Sequence, residues 1–156
     1  MKRLHEPIGK LVVQFQTLEF IILMLCLGIT KDNLDVVMAM LSVVSFRRKL
    51  DVLRAIAPYA ISDSTLGSEL TDLIEKASHC EEQRNTIVHS IWLGGQDKVF
   101  RHKPIVSRKH GLKNGGIQEF NVAEIDGVSN SIGTLVTQLK GFLNRLHKLD
   151  ISRLRI

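Results

Sequence analysis

Apolar residues recur at helical spacing near the start of the chain: Ile8, Leu11, Val12, Phe15, Leu18, Ile22, Leu25, Cys26 and Ile29. Residues three and four apart share one face of an α-helix, so this series predicts a helix with a buried stripe. From Phe20 onward, Ile21, Leu23, Met24 and Leu27 add apolar side chains on its other faces. A helix apolar all round belongs in a core or an interface. The uninterrupted run from Phe20 to Ile29 is shorter than the roughly twenty residues that a bilayer requires. No cationic segment directly precedes it to mark an export signal, and no membrane association is expected. Glu19 falls inside the stripe, where a carboxylate is costly unless paired.

The pattern continues as helix. Asn33 to Met40 and then SVVSFRRKLDVLRAI predict two helices or one bent one, closed by Pro58. A fourth helix is expected to start between Ser62 and Ser68 and to run to Leu93, with Gly94-Gly95 ending it. VFRHKPIV and IQEFNV then flank Asn114-Gly115-Gly116 and read as a short, irregular β-hairpin, with Pro104 confining the first strand to an edge. Asn121-Val-Ala-Glu124 sets an N-cap three residues before a glutamate and opens the last helix. Its inner stripe is Ile125, Val128, Ile132, Leu135, Leu139, Phe142, Leu146 and Leu149. The expectation is all-α: a bundle of four to five helices with a short β-hairpin inserted before the last.

The length of 156 residues suits a single domain over 1–156, with the hairpin as an insertion over 98–120. Apolar residues at 44 % and charged residues at 24 % are ordinary for a globular chain. Cys26 and Cys80 form neither a disulfide framework nor a metal-ligand spacing, which fits a reducing cytoplasm. No Asp, Glu and His cluster at metal spacing is visible, so no metal or other cofactor is expected. The net charge of +5 is compatible with a polyanionic partner. Its distribution is more informative. Lys98 to Lys113 holds six Lys or Arg and no acid, whereas Asp63 to His89 holds six acids against Lys76 and Arg84. Within the basic run Arg101, Lys103 and Arg108 are candidate phosphate contacts, and a solvated loop is the plainer reading. His102 and His110 lie in the same run; His5, His79 and His147 lie elsewhere.

The stretch EEQRNTIVHSIW carries the candidate chemistry. Along the fourth helix the apolar positions are Leu66, Leu70, Leu73, Ala77, Cys80, Ile87 and Ile91, and the missing member of the series is Arg84. A guanidinium inside an apolar stripe needs a partner or a polar cavity. Glu81 at i−3 could supply it, and so could the stranded Glu19. Asn85 and His89 are four apart and share a face, so the amide can orient the imidazole. Arg84 and His89 stand about 140° apart on an ideal helix, so one copy of the helix does not bring them side by side.

RNTIVH, with Arg84, the polar Asn85 directly after it and His89, resembles the R-x4-6-H signature of the HEPN superfamily. Its position near the end of a long helix, with a further helix after it, is similar to the HEPN all-α bundle over most of the chain. The resemblance implies a homodimer whose two motifs meet in one cleft, and RNA cleavage without metal. Arg84, Asn85 and His89 are then the catalytic residues: His89 moves protons, Arg84 grips phosphoryl oxygens, and Asn85 orients its neighbours. It also implies cytoplasmic toxin or defence roles, with an antitoxin or a nucleotidyltransferase as possible partner. Two other readings stay open. One is a non-catalytic HEPN-like module that binds nucleotide or nucleic acid. The other is a helical interaction protein with a buried Arg84–Glu19 pair.

Overall fold

The first apolar series forms α1, Lys2–Thr30, in the computed structural model. The structure describes residues 2–30, 34–94, 99–102, 105–107, 111–113 and 116–153. The helix begins six residues before Ile8, because Leu4 extends the stripe by another turn and is buried. Pro7 stays inside it; a proline there removes one backbone hydrogen bond and leaves the stripe intact. Leu11, Leu18, Ile22, Leu25 and Cys26 are fully buried. The helix outruns its longest apolar run. An 18-residue window reaches mean hydropathy 2.0, so by length and composition alone α1 could cross a membrane. Here it is the core helix: it packs most extensively on the last helix, and also against the three helices between them.

The second helical stretch is two helices, α2 (Leu34–Ser42) and α3 (Phe46–Ala60). Ser45 separates them as the N-cap of α3, its hydroxyl accepting from the backbone N–H of Arg48. Pro58 does not close α3, which runs two residues further. A proline in the last turn removes only one donor, and the N–H of Ile61 closes the end on the Ala57 carbonyl. Next, α4 (Ser64–Val88) starts at Asp63, whose carboxylate accepts from the N–H groups of Thr65 and Leu66. The last helix, α5 (Val122–Arg153), starts at Asn121, whose amide oxygen accepts from the Ala123 N–H at 3.0 Å. From the expected inner stripe of α5, Ile125, Ile132, Leu135, Leu139 and Phe142 are buried, while Val128 and Leu146 pack at its margin.

The insertion departs from one simple hairpin. Three strands, β1 (Ile91–Gly94), β2 (Val99–His102) and β5 (Ile117–Phe120), form an antiparallel sheet in the order β1-β2-β5. Between them β3 (Ile105–Ser107) and β4 (Gly111–Lys113) pair as a separate two-stranded ribbon. So VFRHKPIV is two strands, and its first half is the centre of the sheet, not an edge. Pro104 and the Asn114-Gly115 part of the expected turn lie outside the described residues.

The α4 boundary is the main correction. Helix ends at Val88, with His89 as its C-cap at φ −94° and ψ 10°, and Ile91 to Leu93 belong to β1. Carbonyls of a last helical turn need donors. The Ser90 hydroxyl donates to the Thr86 carbonyl, and the Trp92 indole donates to the Ile87 carbonyl at 3.1 Å. Ile91, Trp92 and Leu93 then pair with Arg101 and its neighbours on β2, a use that β-branched and aromatic side chains favour.

Glu19 meets Lys49, not Arg84. The ammonium of Lys49 on α3 is 2.6 Å from the Glu19 carboxylate and 3.1 Å from the Val44 carbonyl, and Lys49 is buried. The pair ties α1 to α3. Removing one partner of such a buried pair leaves the other uncompensated, so Glu19→Ala is expected to cost about 3 kcal/mol. Leu25→Ala, a cavity in the centre of α1, is expected to cost about 2–5 kcal/mol, against roughly 0.5 kcal/mol or less for the exposed Val13→Ala. Urea unfolding of the three variants checks that order.

Candidate functional site

Helix α4 ends over the middle of α1, and this sets the surroundings of Arg84. Phe15 lies one turn before Glu19 on α1, and the Arg84 guanidinium carbon sits 5.1 Å from its ring centroid. A guanidinium over an aromatic face is attracted by the ring quadrupole. Phe15 in turn packs against Phe46 of α3, centroids 4.8 Å apart. One Nη of Arg84 donates to the Asn85 amide oxygen at 2.9 Å, which fixes the amide's orientation. The Nε is buried and makes no hydrogen bond among the described residues. No direct ion pair to Arg84 occurs among them either. The two acids proposed as its partners are engaged elsewhere: Glu19 with Lys49, and Glu81 with Arg47 of α3 at 4.0 Å.

Arg84 and Asn85 are therefore joined directly, and His89 is not in their hydrogen-bond network. His89 is exposed at the C-cap, its backbone N–H donating to the Asn85 carbonyl at 3.1 Å. The outward strip of α4 carries Ser68, Asp72, Glu75, His79 and Glu82 in line with it, all exposed and polar. Large exposed apolar side chains sit on α1 (Val13, Phe20) and around α2 (Leu34, Val36, Met40, Val43), and also on β1 just after His89 (Ile91, Leu93).

Arg101 is held in the sheet. It lies on β2, donates to the Gln118 side chain at 3.0 Å and stacks over Phe120 at 5.1 Å. Phe120 also meets Trp92 edge-on, centroids 5.1 Å apart. Arg101 and Phe120 border a cavity of about 270 Å³ together with Glu82 and Glu124. Lys103 and Arg108 lie outside the described residues. A larger groove of about 650 Å³ runs between α4 and α5, bordered by Lys76, His79 and Gln83 among others. Neither space is bordered by Arg84, Asn85 or His89. Among the described residues no three His, Cys, Asp or Glu side chains stand together as a metal-binding group.

Two acid–base features accompany the site. Burial pushes the Cys26 thiol up to about 11, despite the opposing Lys49 charge, so this cysteine is an inert core residue. Glu81 is raised above the ordinary carboxylate value, chiefly by burial; Arg47 and Arg84 pull it back down, while Glu82 and Asp51 push it up. Arg47 and Trp92 were not singled out in the sequence. The contact of Arg47 with α4 depends on how α3 docks, and nothing in the spacing of RRK at 47–49 announces it. Trp92 could have been noticed as the chain's single tryptophan, next to the Gly94-Gly95 break.

No protein-family model, curated protein or solved structure matches this chain.

The Glu81 shift has a definite sign. The folded chain holds that proton more tightly than the unfolded chain does, so Glu81 subtracts stability as pH rises through the carboxylate range. Glu81→Gln removes the penalty. Its melting temperature is expected to exceed the wild-type value slightly at about pH 7, and the difference to vanish below about pH 3, where Glu81 of the wild type is protonated in both the folded and the unfolded state. Paired thermal melts at the two pH values check this.

Proposed function

We propose that the chain is a metal-independent endoribonuclease of HEPN type whose active site is completed by a second copy. The observation that carries the reading is Arg84. It is a partly buried guanidinium with no direct ion pair among the described residues, its face on Phe15 and one edge on Asn85. Such a charge, held in place and not cancelled by direct contact, suits a phosphodiester oxygen. One turn later the chain offers an exposed imidazole at the helix terminus.

The reaction follows from those groups. A base takes the proton of the RNA 2′-hydroxyl, and the 2′-oxygen attacks phosphorus. The bond to the 5′-oxygen breaks, and an acid returns a proton to that oxygen. The products are a 2′,3′-cyclic phosphate and a 5′-hydroxyl; water then opens the cycle to a 3′-phosphate. An imidazole serves as base or acid near neutral pH, and two copies of His89 supply one of each. Arg84 stabilises charge on the phosphoryl oxygens as it builds up. Asn85, tied to Arg84, keeps the guanidinium pointed. Arg84 and His89 leave different sides of α4, which is the reason to invoke a partner copy. The polar outward strip of α4 would meet that copy through hydrogen bonds and charges. On this reading the protein works in the cytoplasm as a toxin or defence effector, and an antitoxin or nucleotidyltransferase partner would act by covering the motif.

The deciding experiment is incubation with single-stranded RNA in excess chelator. Wild type is expected to cut RNA and to spare a strand whose 2′-hydroxyls are replaced by hydrogen. His89→Ala and Arg84→Ala are expected to lose about 10²–10⁴ in rate while keeping the wild-type melting curve, and Arg84→Lys to recover only part. Nucleotide binding without cleavage would instead make the chain a non-catalytic binding module. A monomer in light scattering at micromolar concentration counts against the composite site.

The basic insertion has its own test. Arg101→Ala, Lys103→Ala and Arg108→Ala combined are expected to weaken RNA binding and flatten its salt dependence, since each lost phosphate contact lowers the slope by about one. An unchanged slope means the run is a solvated loop.

A further inference from the structure

Arg84 is not the only cation at its end of the bundle. Arg47, in the first turn of α3, reaches across to α4. One of its Nη atoms donates to the Ser78 hydroxyl and stands 4.0 Å from the Glu81 carboxylate. Glu81 lies three residues before Arg84, on the same side of α4. Its side chain is 15 % exposed, whereas that of Arg47 is 49 % exposed. One carboxylate thus stands 4.0 Å from the Arg47 guanidinium and feels the Arg84 charge without touching it, with Phe15 and Phe46 packed together beside them.

We infer that Arg47 and Arg84 form a two-arginine site for a phosphate-class anion, and that Glu81 is the internal anion an incoming phosphodiester displaces. The inference deepens the reading given above, and rests on it for the phosphodiester. Three observations support it. Arg47 is half exposed, and its close contact is the neutral Ser78 hydroxyl while the Glu81 carboxylate stands 4.0 Å off, so its charge is not fully matched. Arg84 holds an Nε without a hydrogen-bond partner among the described residues. Burial weakens Glu81 as a counter-ion, because its carboxyl prefers its proton more than an ordinary carboxylate does. The charged groups acting on Glu81 are Arg47 and Asp51 from α3, and Glu82 and Arg84 from α4. A phosphodiester stays ionised where a carboxylate is beginning to protonate, so it competes well with Glu81 for the two guanidiniums. Arg47 is a positioning residue here: it adds a second grip on the phosphate and leaves proton transfer to His89.

The test separates binding from cutting. The probe is a fluorescent single-stranded oligonucleotide lacking 2′-hydroxyls, which by the mechanism above cannot be cleaved, and anisotropy is read across a salt series. Glu81→Gln is expected to tighten binding several-fold, because the competitor is gone while the shape stays. Arg47→Ala is expected to weaken it about tenfold and to lower the salt slope by about one, the signature of one lost phosphate contact. Arg47→Lys is expected to restore the slope but only part of the affinity, since a point charge cannot form the fork. Opposite effects of the two neutralisations are not produced by a merely structural pair, whose breaking from either side loosens the same contact. Thermal melts confirm that each variant is folded. If the probe binds and Arg47→Ala leaves affinity and slope unchanged, or Glu81→Gln weakens binding, the inference is overturned while RNA cleavage by wild type would stand. If the probe does not bind at all, the two-arginine site is wrong, and the cleavage assay alone decides the enzyme reading. If the probe binds as expected and RNA is never cut, the site stands and the nuclease falls.

Discussion

A helix that is apolar around most of its circumference has to be covered from several sides, and α1 imposes that demand on everything else. Helix α5 takes the largest share, α3 and α4 take further faces, and α2 folds back over the end. The arrangement places Leu11, Leu18, Ile22 and Leu25 out of water altogether. Burial of that many aliphatic side chains is the dominant favourable term in a fold of this kind. It also fixes where polar groups of α1 can go. Glu19, inside the covered zone, meets Lys49, whose own burial leaves it no solvent to turn to.

The same docking distributes the cations of α3. Arg47, Arg48 and Lys49 are consecutive, and they leave the helix in three directions: to Ser78 and Glu81 on α4, to Asp51 on α3, and to Glu19 on α1. Lys49 is structural, since its charge is cancelled in the core. Arg47 stands at the surface where α3 meets α4, and there the charge of its carboxylate partner, Glu81, is disfavoured by burial. A lysine and an arginine two positions apart thus have unlike roles, decided by which helix each one faces.

The end of α4 shows how local sequence and long-range pairing compete. Ile87 and Ile91 continue the helical spacing of the preceding stripe, and read alone they extend the helix to Leu93. The chain leaves the helix earlier because β2 offers Ile91 to Leu93 a ladder of hydrogen bonds, and because Ser90 and Trp92 supply donors to the last carbonyls. Strand pairing with residues further along the chain, as of Ile91 with His102, is not visible in a helical period. The consequence reaches the candidate site: His89 becomes a cap exposed at a terminus, not a side chain in mid-helix.

The sequence by itself determined the helical layout, because apolar spacing and the cap at Asn121 are local signals. It also isolated Arg84 as the polar member of an apolar series, and Asn85 as its neighbour able to orient a side chain. Only the tertiary structure decided the partners. From the sequence Glu19 was matched only with Arg84; the docking of α3 gave it Lys49, 30 positions along the chain, while Arg84 settled on Phe15 one turn away. Arg101, one of six cations in a run that reads as a solvated patch, is held over Phe120 and bonded to Gln118 by its place on β2. Spacing along a helix or strand reports which face a residue occupies; the identity of what it meets there depends on how the elements pack, and that information is spread over the whole chain.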